Sequence, residues 1–151
     1  MKKILIVCLG NICRSPTAEA VLKAKAKLRG IMLEVDSAGT INHHQGKGPY
    51  QLAKVAGELR GYSFEGITSR PVNANDFIHF DYILAADKQN KADLLAQCPA
   101  QFKHKIELFL AFSDMGEMEI PDPYYGGEDG FELVLDLLEK ASNQLLDRVN
   151  N

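Results

Sequence analysis

The 151-residue chain has no tryptophan and only three cysteines, Cys8, Cys13 and Cys98. So few, in an odd number, argue against a secreted disulfide framework and for a cytoplasmic setting with reduced thiols. In that setting a close cysteine pair is catalytic, redox-active or metal-binding rather than structural. Long apolar runs are missing too. The N-terminal one extends only from Ile4 to Leu9, too short for a signal-peptide core or a membrane span. An excess of positive charge is lacking: 17 Lys and Arg stand against 20 Asp and Glu, for a net charge of −3. That balance argues against nucleic acid as the main partner and leaves room for a local basic spot that binds an anion. There is no internal repeat, low-complexity tract or linker. No G-x-x-x-x-G-K-[ST] pattern supports Walker-type nucleotide binding.

What remains is an ordinary globular composition, 46% hydrophobic and 25% charged, read as one domain over residues 1–151. Lys2–Val7 is a β-branched apolar run, predicted as a buried strand. Residues Pro16–Leu28 read as a helix, with Ser15 as N-cap, Pro16 in the first turn and Gly30 as stop. A second strand is expected over Met32–Val35, ending at Asp36-Ser37-Ala38-Gly39, and a helix over Tyr50–Leu59. Asn73–Ile78 reads as a helical turn, Tyr82–Ala86 as strand three, Lys88–Ala96 as a helix and Ile106–Ala111 as strand four. Ser113–Gly127 is a loop rich in Pro, Asp, Gly and Tyr, and Glu128–Val149 a long closing helix.

Strands that alternate with helices imply a three-layer α/β/α domain around a four-stranded parallel sheet, of flavodoxin-like or Rossmann-like type. Such folds bind ligands beyond the carboxyl ends of their strands. The segments after strands one, two and four converge on that edge.

The segment after strand one reads Cys8-Leu9-Gly10-Asn11-Ile12-Cys13-Arg14-Ser15. A strand, a short loop with Gly10 and a helix start form the setting for a phosphate-binding loop. Backbone N–H groups can point inward as a nest, and the helix N-terminus adds partial positive charge. Arg14 supplies a full charge in a fork suited to phosphate oxygens, and Asn11 tolerates left-handed geometry. Helix N-termini and nearby cations favour thiolates, so a cysteine on the floor of this bowl is a nucleophile aimed at a bound oxyanion, with Ser15 able to donate to its sulfur. Zinc fits poorly, because only His43 and His44 are near enough to complete Cys8 and Cys13 and their spacing is wrong.

The Cys8-x5-Arg14-Ser15 pattern, with "VDSAGT" at Val35–Thr40, "DYILAAD" at Asp81–Asp87 and "DPYYGG" at Asp122–Gly127, closely resembles the low-molecular-weight protein tyrosine phosphatases over essentially the whole chain. The resemblance implies Cys8 as nucleophile, Arg14 as phosphate binder and Asp122 as general acid and then base, its backbone restricted by Pro121 and Pro123. It implies no metal and no cofactor, and a substrate that is a phosphotyrosine protein, such as an autophosphorylated tyrosine kinase. Cys13 would guard Cys8 through a reversible disulfide. Asn11 and Ser37 would hold the loop in shape, with His44 joining them, while Tyr124 and Tyr125 would wall the entrance. His43 stands about where many members carry a tryptophan. Cys98, before Pro99, reads as a bystander.

Three other readings compete. A thiol-dependent arsenate reductase needs a second downstream cysteine, and only Cys98 is present. A protein-arginine phosphatase typically has Thr where Ile12 stands and lacks the paired tyrosines. A non-catalytic phosphate-binding or redox-sensing module would need no acid at Asp122.

Overall fold

A computed structural model describes residues 1–115, 118–123 and 127–150. Four parallel strands, β1 (Lys2–Cys8), β2 (Leu33–Gly39), β3 (Tyr82–Ala85) and β4 (Ile106–Leu108), form one sheet in the order β2-β1-β3-β4. Among the described residues, six α-helices accompany them: α1 (Arg14–Arg29), α2 (Gln51–Leu59), α3 (Ala74–His79), α4 (Lys88–Gln97), α5 (Phe109–Phe112) and α6 (Gly127–Val149). A 3-10 helix spans Ala100–Lys105, which the sequence reading did not anticipate.

The alternation of side chains along a strand sorts β1 into two layers. Ile4, Ile6 and Cys8 pack with the α1 and α6 residues Val21, Leu22, Leu138 and Leu145. Leu5 and Val7 face the other way, onto Phe77 of α3 and Leu94 of α4. Both faces are covered, which is why β1 is apolar throughout rather than alternating. Cys8 therefore ends the strand on the α1 side, where the next turn can carry the chain into that helix. Since β2 lies on one side of β1 and β3 on the other, the crevice beyond β1 and β3 is the topological switch point.

Several boundaries differ from expectation. β2 runs on to Gly39 because it stays in register with β1 down to the pair Cys8 and Gly39. β4 stops at Leu108, and α5 replaces the rest of the expected strand. Phe109, Leu110 and Phe112 are all buried, and an apolar run of that length suits a buried helical turn as well as a strand. α1 starts at Arg14. Cys13 occupies the N-cap position with no side-chain cap, and Ser15 lies inside the first turn. The predicted stop holds, with Gly30 at φ 67° receiving the last turn.

Candidate active site

The turn from β1 into α1 has its carbonyls tied outward. Cys8 O accepts from Thr40 N at 3.0 Å, Leu9 O from Ile41 N at 3.2 Å, Gly10 O from Ser69 Oγ at 2.9 Å and Ile12 O from Tyr50 N at 2.7 Å. Among the described residues, no acceptor meets the N–H groups of residues 9–14. With the carbonyls held back, those donors form an anion-binding nest at a helix N-terminus. Gly39 makes the fit possible: a Cβ there would come within 2.7 Å of Leu9 O, 3.1 Å of Ile41 O and 3.2 Å of Asn11 N.

Asn11 is left-handed, with φ 55°, and both ends of its amide are used. Its Oδ1 accepts from Arg70 N at 3.0 Å, and its Nδ2 donates to Ser15 Oγ at 2.8 Å. Ser15 Oγ lies 3.0 Å from Cys8 Sγ and 3.5 Å from Ala38 O. Since Asn11 donates to Ser15, the single hydroxyl proton of Ser15 is left for one acceptor, and the sulfur is much the nearer. A hydroxyl donating to sulfur stabilises negative charge on it.

Arg14 is 5% exposed. Its Nη1 donates to Asp87 Oδ2 at 2.7 Å and to Ile120 O at 3.1 Å. Among the described residues, Nε and Nη2 meet no acceptor, so an edge of the fork remains for a ligand. Burial pushes Arg14 down, but the hydrogen bond to Asp87 and the charges of Cys8, Asp87 and Asp122 outweigh it, and the net shift is upward. Asp87 also caps α4, accepting from Asn90 N at 2.7 Å through Oδ1. It reaches Arg14 from the end of β3, across the switch point.

A cavity of about 630 Å³ opens over this floor. Cys8, Leu9, Gly10, Ile12, Cys13 and Arg14 line it, with Asp122 on one side and Ile41, His43, His44, Lys47, Tyr50 and Gln51 around the rim. Asp122 is exposed and precedes a buried Pro123. Cys8, Cys13 and Cys98 are free thiols. Burial, then the charges of Cys8 and Asp122, push the Cys13 thiol up to about 12 against the weaker pull of Arg14. Cys98 donates to Pro99 O at 3.3 Å and does not reach the cavity.

Two expectations require correction. Ser37 does not hold the loop: its hydroxyl donates to the buried Glu19 Oε1 at 2.6 Å, tying β2 to α1. Ser37 pairs with Ile6 of β1 and points to the α1 side, while the backbone carbonyl of its neighbour Ala38 lies 3.5 Å from Ser15 Oγ. His44 does not join the Asn11 network either. It lies over Gly10, where an added Cβ would meet His44 Cδ2 at 2.9 Å. Tyr124 and Tyr125 lie outside the described residues. Asp87, Ser69 and Arg70 were missed as supports. Asp87 had a findable signal, a carboxylate opening a helix beside strand one at the ligand edge. Ser69 and Arg70 had none, being brought in from a loop.

Strand, N–H nest, buried thiol and clamped arginine together define an oxyanion-binding cradle with a cysteine sulfur at its base. Comparison with known proteins places it. Residues 3–151 match the family model described as low molecular weight phosphotyrosine protein phosphatase, and the chain belongs to that family. The Bacillus subtilis low molecular weight protein-tyrosine-phosphatase YfkJ is 36% identical, over 97% of this chain and 94% of its own. A crystal structure of a protein tyrosine phosphatase from Entamoeba histolytica, with Hepes in its active site, superposes with a TM-score of 0.93 at 44% identity, covering 99% of this chain and 97% of that one. The YwlE arginine phosphatase, solved with a phosphorylated active-site serine, is more distant at 26% identity, with a TM-score of 0.90 over 99% of this chain and 96% of that one. Among the described residues, no helix is long and apolar enough to cross a membrane.

Proposed function

We propose that this chain is a protein tyrosine phosphatase acting on cytoplasmic phosphoproteins, an autophosphorylated tyrosine kinase among them. The observation that carries the reading is the Cys8 sulfur 3.0 Å from the Ser15 hydroxyl, beneath the N–H nest and beside an Arg14 held through one nitrogen.

In this mechanism the phosphoryl oxygens sit in the nest and on the open edge of Arg14. The Cys8 thiolate attacks phosphorus in line, forming an S–P bond as the P–O bond to the tyrosine breaks. Asp122 gives its proton to the departing phenolate. The charge that develops on the equatorial oxygens meets fixed donors that need no reorganisation. Asp122, now ionised, takes a proton from a water that attacks phosphorus, and the S–P bond breaks. Ser15 donates to the sulfur as it leaves as thiolate. Phosphate departs and Asp122 is again protonated. Ile12 lines the cavity where a hydrophobic wall suits an aromatic ring.

Phosphate release from phosphotyrosine, phosphoarginine and phosphoserine peptides, in EDTA and with reduced protein, tests the reading. Turnover of phosphotyrosine that Cys8→Ser abolishes and Asp122→Asn strongly reduces supports it. Preference for phosphoarginine would keep the chemistry and change the substrate. No turnover of any peptide would leave a phosphate-binding or redox module.

A further inference from the structure

Catalysis as proposed uses the floor of the cavity and Asp122, and it gives the rest of the rim no task. That rim is cationic. Among the described lining residues, Asp122 is the one carboxylate, set against the permanent cations Arg14 and Lys47, with the imidazoles of His43 and His44 also in the lining. Arg14 is buried and committed to the floor, so Lys47 is a separate charge. It is exposed, and among the described residues it forms no ion pair. Arg60, by contrast, holds Glu132, Asp136 and Glu139 at once.

The rim is also fixed in place. Lys47 N donates to His44 O at 2.9 Å, closing a turn. Gly46 N donates to Ser69 O and Ser69 N donates to Lys47 O, each at 2.8 Å. The Ser69 hydroxyl then donates to Gly10 O in the phosphate loop at 2.9 Å. One residue thus locks the turn that carries Lys47 to the loop that would hold the phosphate. The base of the Lys47 side chain is thereby tied to the loop that would hold the phosphate. Burial, followed by the charges of His43 and Lys47, pushes His44 down, which leaves the lysine as the permanent charge of the turn. On a molecule of net charge −3, such a local cationic edge attracts anionic groups and turns away cationic ones.

We infer that Lys47 is a specificity-determining residue that selects phosphotyrosine substrates bearing an aspartate or glutamate next to the phosphotyrosine. This rests on the phosphatase reading of the same cavity.

The test uses three phosphotyrosine peptides that differ only in whether Glu, Gln or Lys flanks the modified residue. Turnover is measured on the wild-type chain and on Lys47→Arg, Lys47→Gln and Lys47→Glu. The wild type is expected to favour the Glu over the Gln peptide by about threefold to fivefold in kcat/KM, the range of one exposed ion pair, mostly through KM. Lys47→Arg should keep the preference, Lys47→Gln should lose it, and Lys47→Glu should favour the Lys peptide. Added salt should compress the wild-type ratio. Calorimetric affinities of the same peptides for Cys8→Ser read the preference without turnover, so a failure of the enzyme reading is seen apart from a failure of this one. Equal treatment of the Glu and Gln peptides by the wild type, or a preference that survives Lys47→Gln, overturns the inference.

Discussion

The main-chain N–H of Arg70 donates to the side-chain oxygen of Asn11 at 3.0 Å, and the other end of that amide donates to Ser15 at 2.8 Å. Arg70 is itself anchored. Its Nη1 and Nη2 meet the two Asp76 oxygens at 3.0 Å each, and Nη2 also meets Asp36 Oδ2 at 3.0 Å. A chain of contacts therefore runs from a partly buried ion cluster through Asn11 and Ser15 to the Cys8 sulfur. Asn11→Ala breaks the middle of it and leaves an alanine at φ 55°. We expect a loss of about 1–3 kcal/mol from the unpaired buried groups, read as a lower denaturant midpoint, and a fall in kcat of at least tenfold. Asn11→Gly relieves the backbone but not the lost bonds, so it should recover stability more than kcat.

Asp87 does two things, and they can be separated. Asp87→Asn keeps an acceptor for Asn90 N but removes the charge that faces Arg14. Its kcat/KM for an aryl phosphate should drop by about tenfold to a hundredfold, in line with one charge-assisted contact of about 1.5–3 kcal/mol, with little change in Tm. Asp87→Ala should lose the same activity and, in addition, about 1 kcal/mol of stability from the missing α4 cap.

Cys13 makes the protein less stable in alkali. Its thiol is held protonated up to about 12 in the folded chain, against 9.0 for an ordinary cysteine here. Below pH 9 both states carry the proton and nothing is lost. Between about 9 and 12 the unfolded chain releases it first, so stability falls as pH rises, by up to about 1.4 kcal/mol per pH unit. Cys13→Ser removes the titration. The difference in unfolding free energy between wild type and Cys13→Ser should be flat from pH 7 to 8.5 and then drift against the wild type. A parallel offset through pH 10.5 would contradict this.

Two glycines of the site should respond differently to alanine. At Gly39 the new methyl group meets backbone, with Leu9 O at 2.7 Å and Asn11 N at 3.2 Å, and neither can move without opening the phosphate loop. Gly39→Ala should cost about 1–3 kcal/mol as an overpacking change and abolish most phosphate release. At Gly10 the obstacle is the His44 ring at 2.9 Å, which can rotate away. Gly10→Ala should fold normally and keep the larger share of kcat.

The sequence made the sheet legible because β1 is apolar on both faces and the Gly30 stop is a local signal. Strand four was overextended because Phe109, Leu110 and Phe112 satisfy strand and helix patterns alike, and only packing decides between them. The Cys8 and Arg14 cradle was visible from spacing. Of the two roles read for Ser15, the cap fails because α1 begins one residue earlier, and the contact with the Cys8 sulfur is found at 3.0 Å. Ser37 was assigned to the loop through resemblance, whereas strand alternation turns it toward Glu19. Arg70 and Ser69 act through contacts between segments far apart in the chain, which no short window of sequence records, whereas Asp87 at the start of α4 carried a local signal that went unused.

The lock at Ser69 has an evolutionary side. Of its three bonds, the two that grip the rim use only main-chain atoms of Gly46, Ser69 and Lys47, and none of them depends on what side chain stands at positions 43 or 47. Those positions are interchangeable parts: their chemistry can be rewritten to suit a new target while the reaction floor stays in tune.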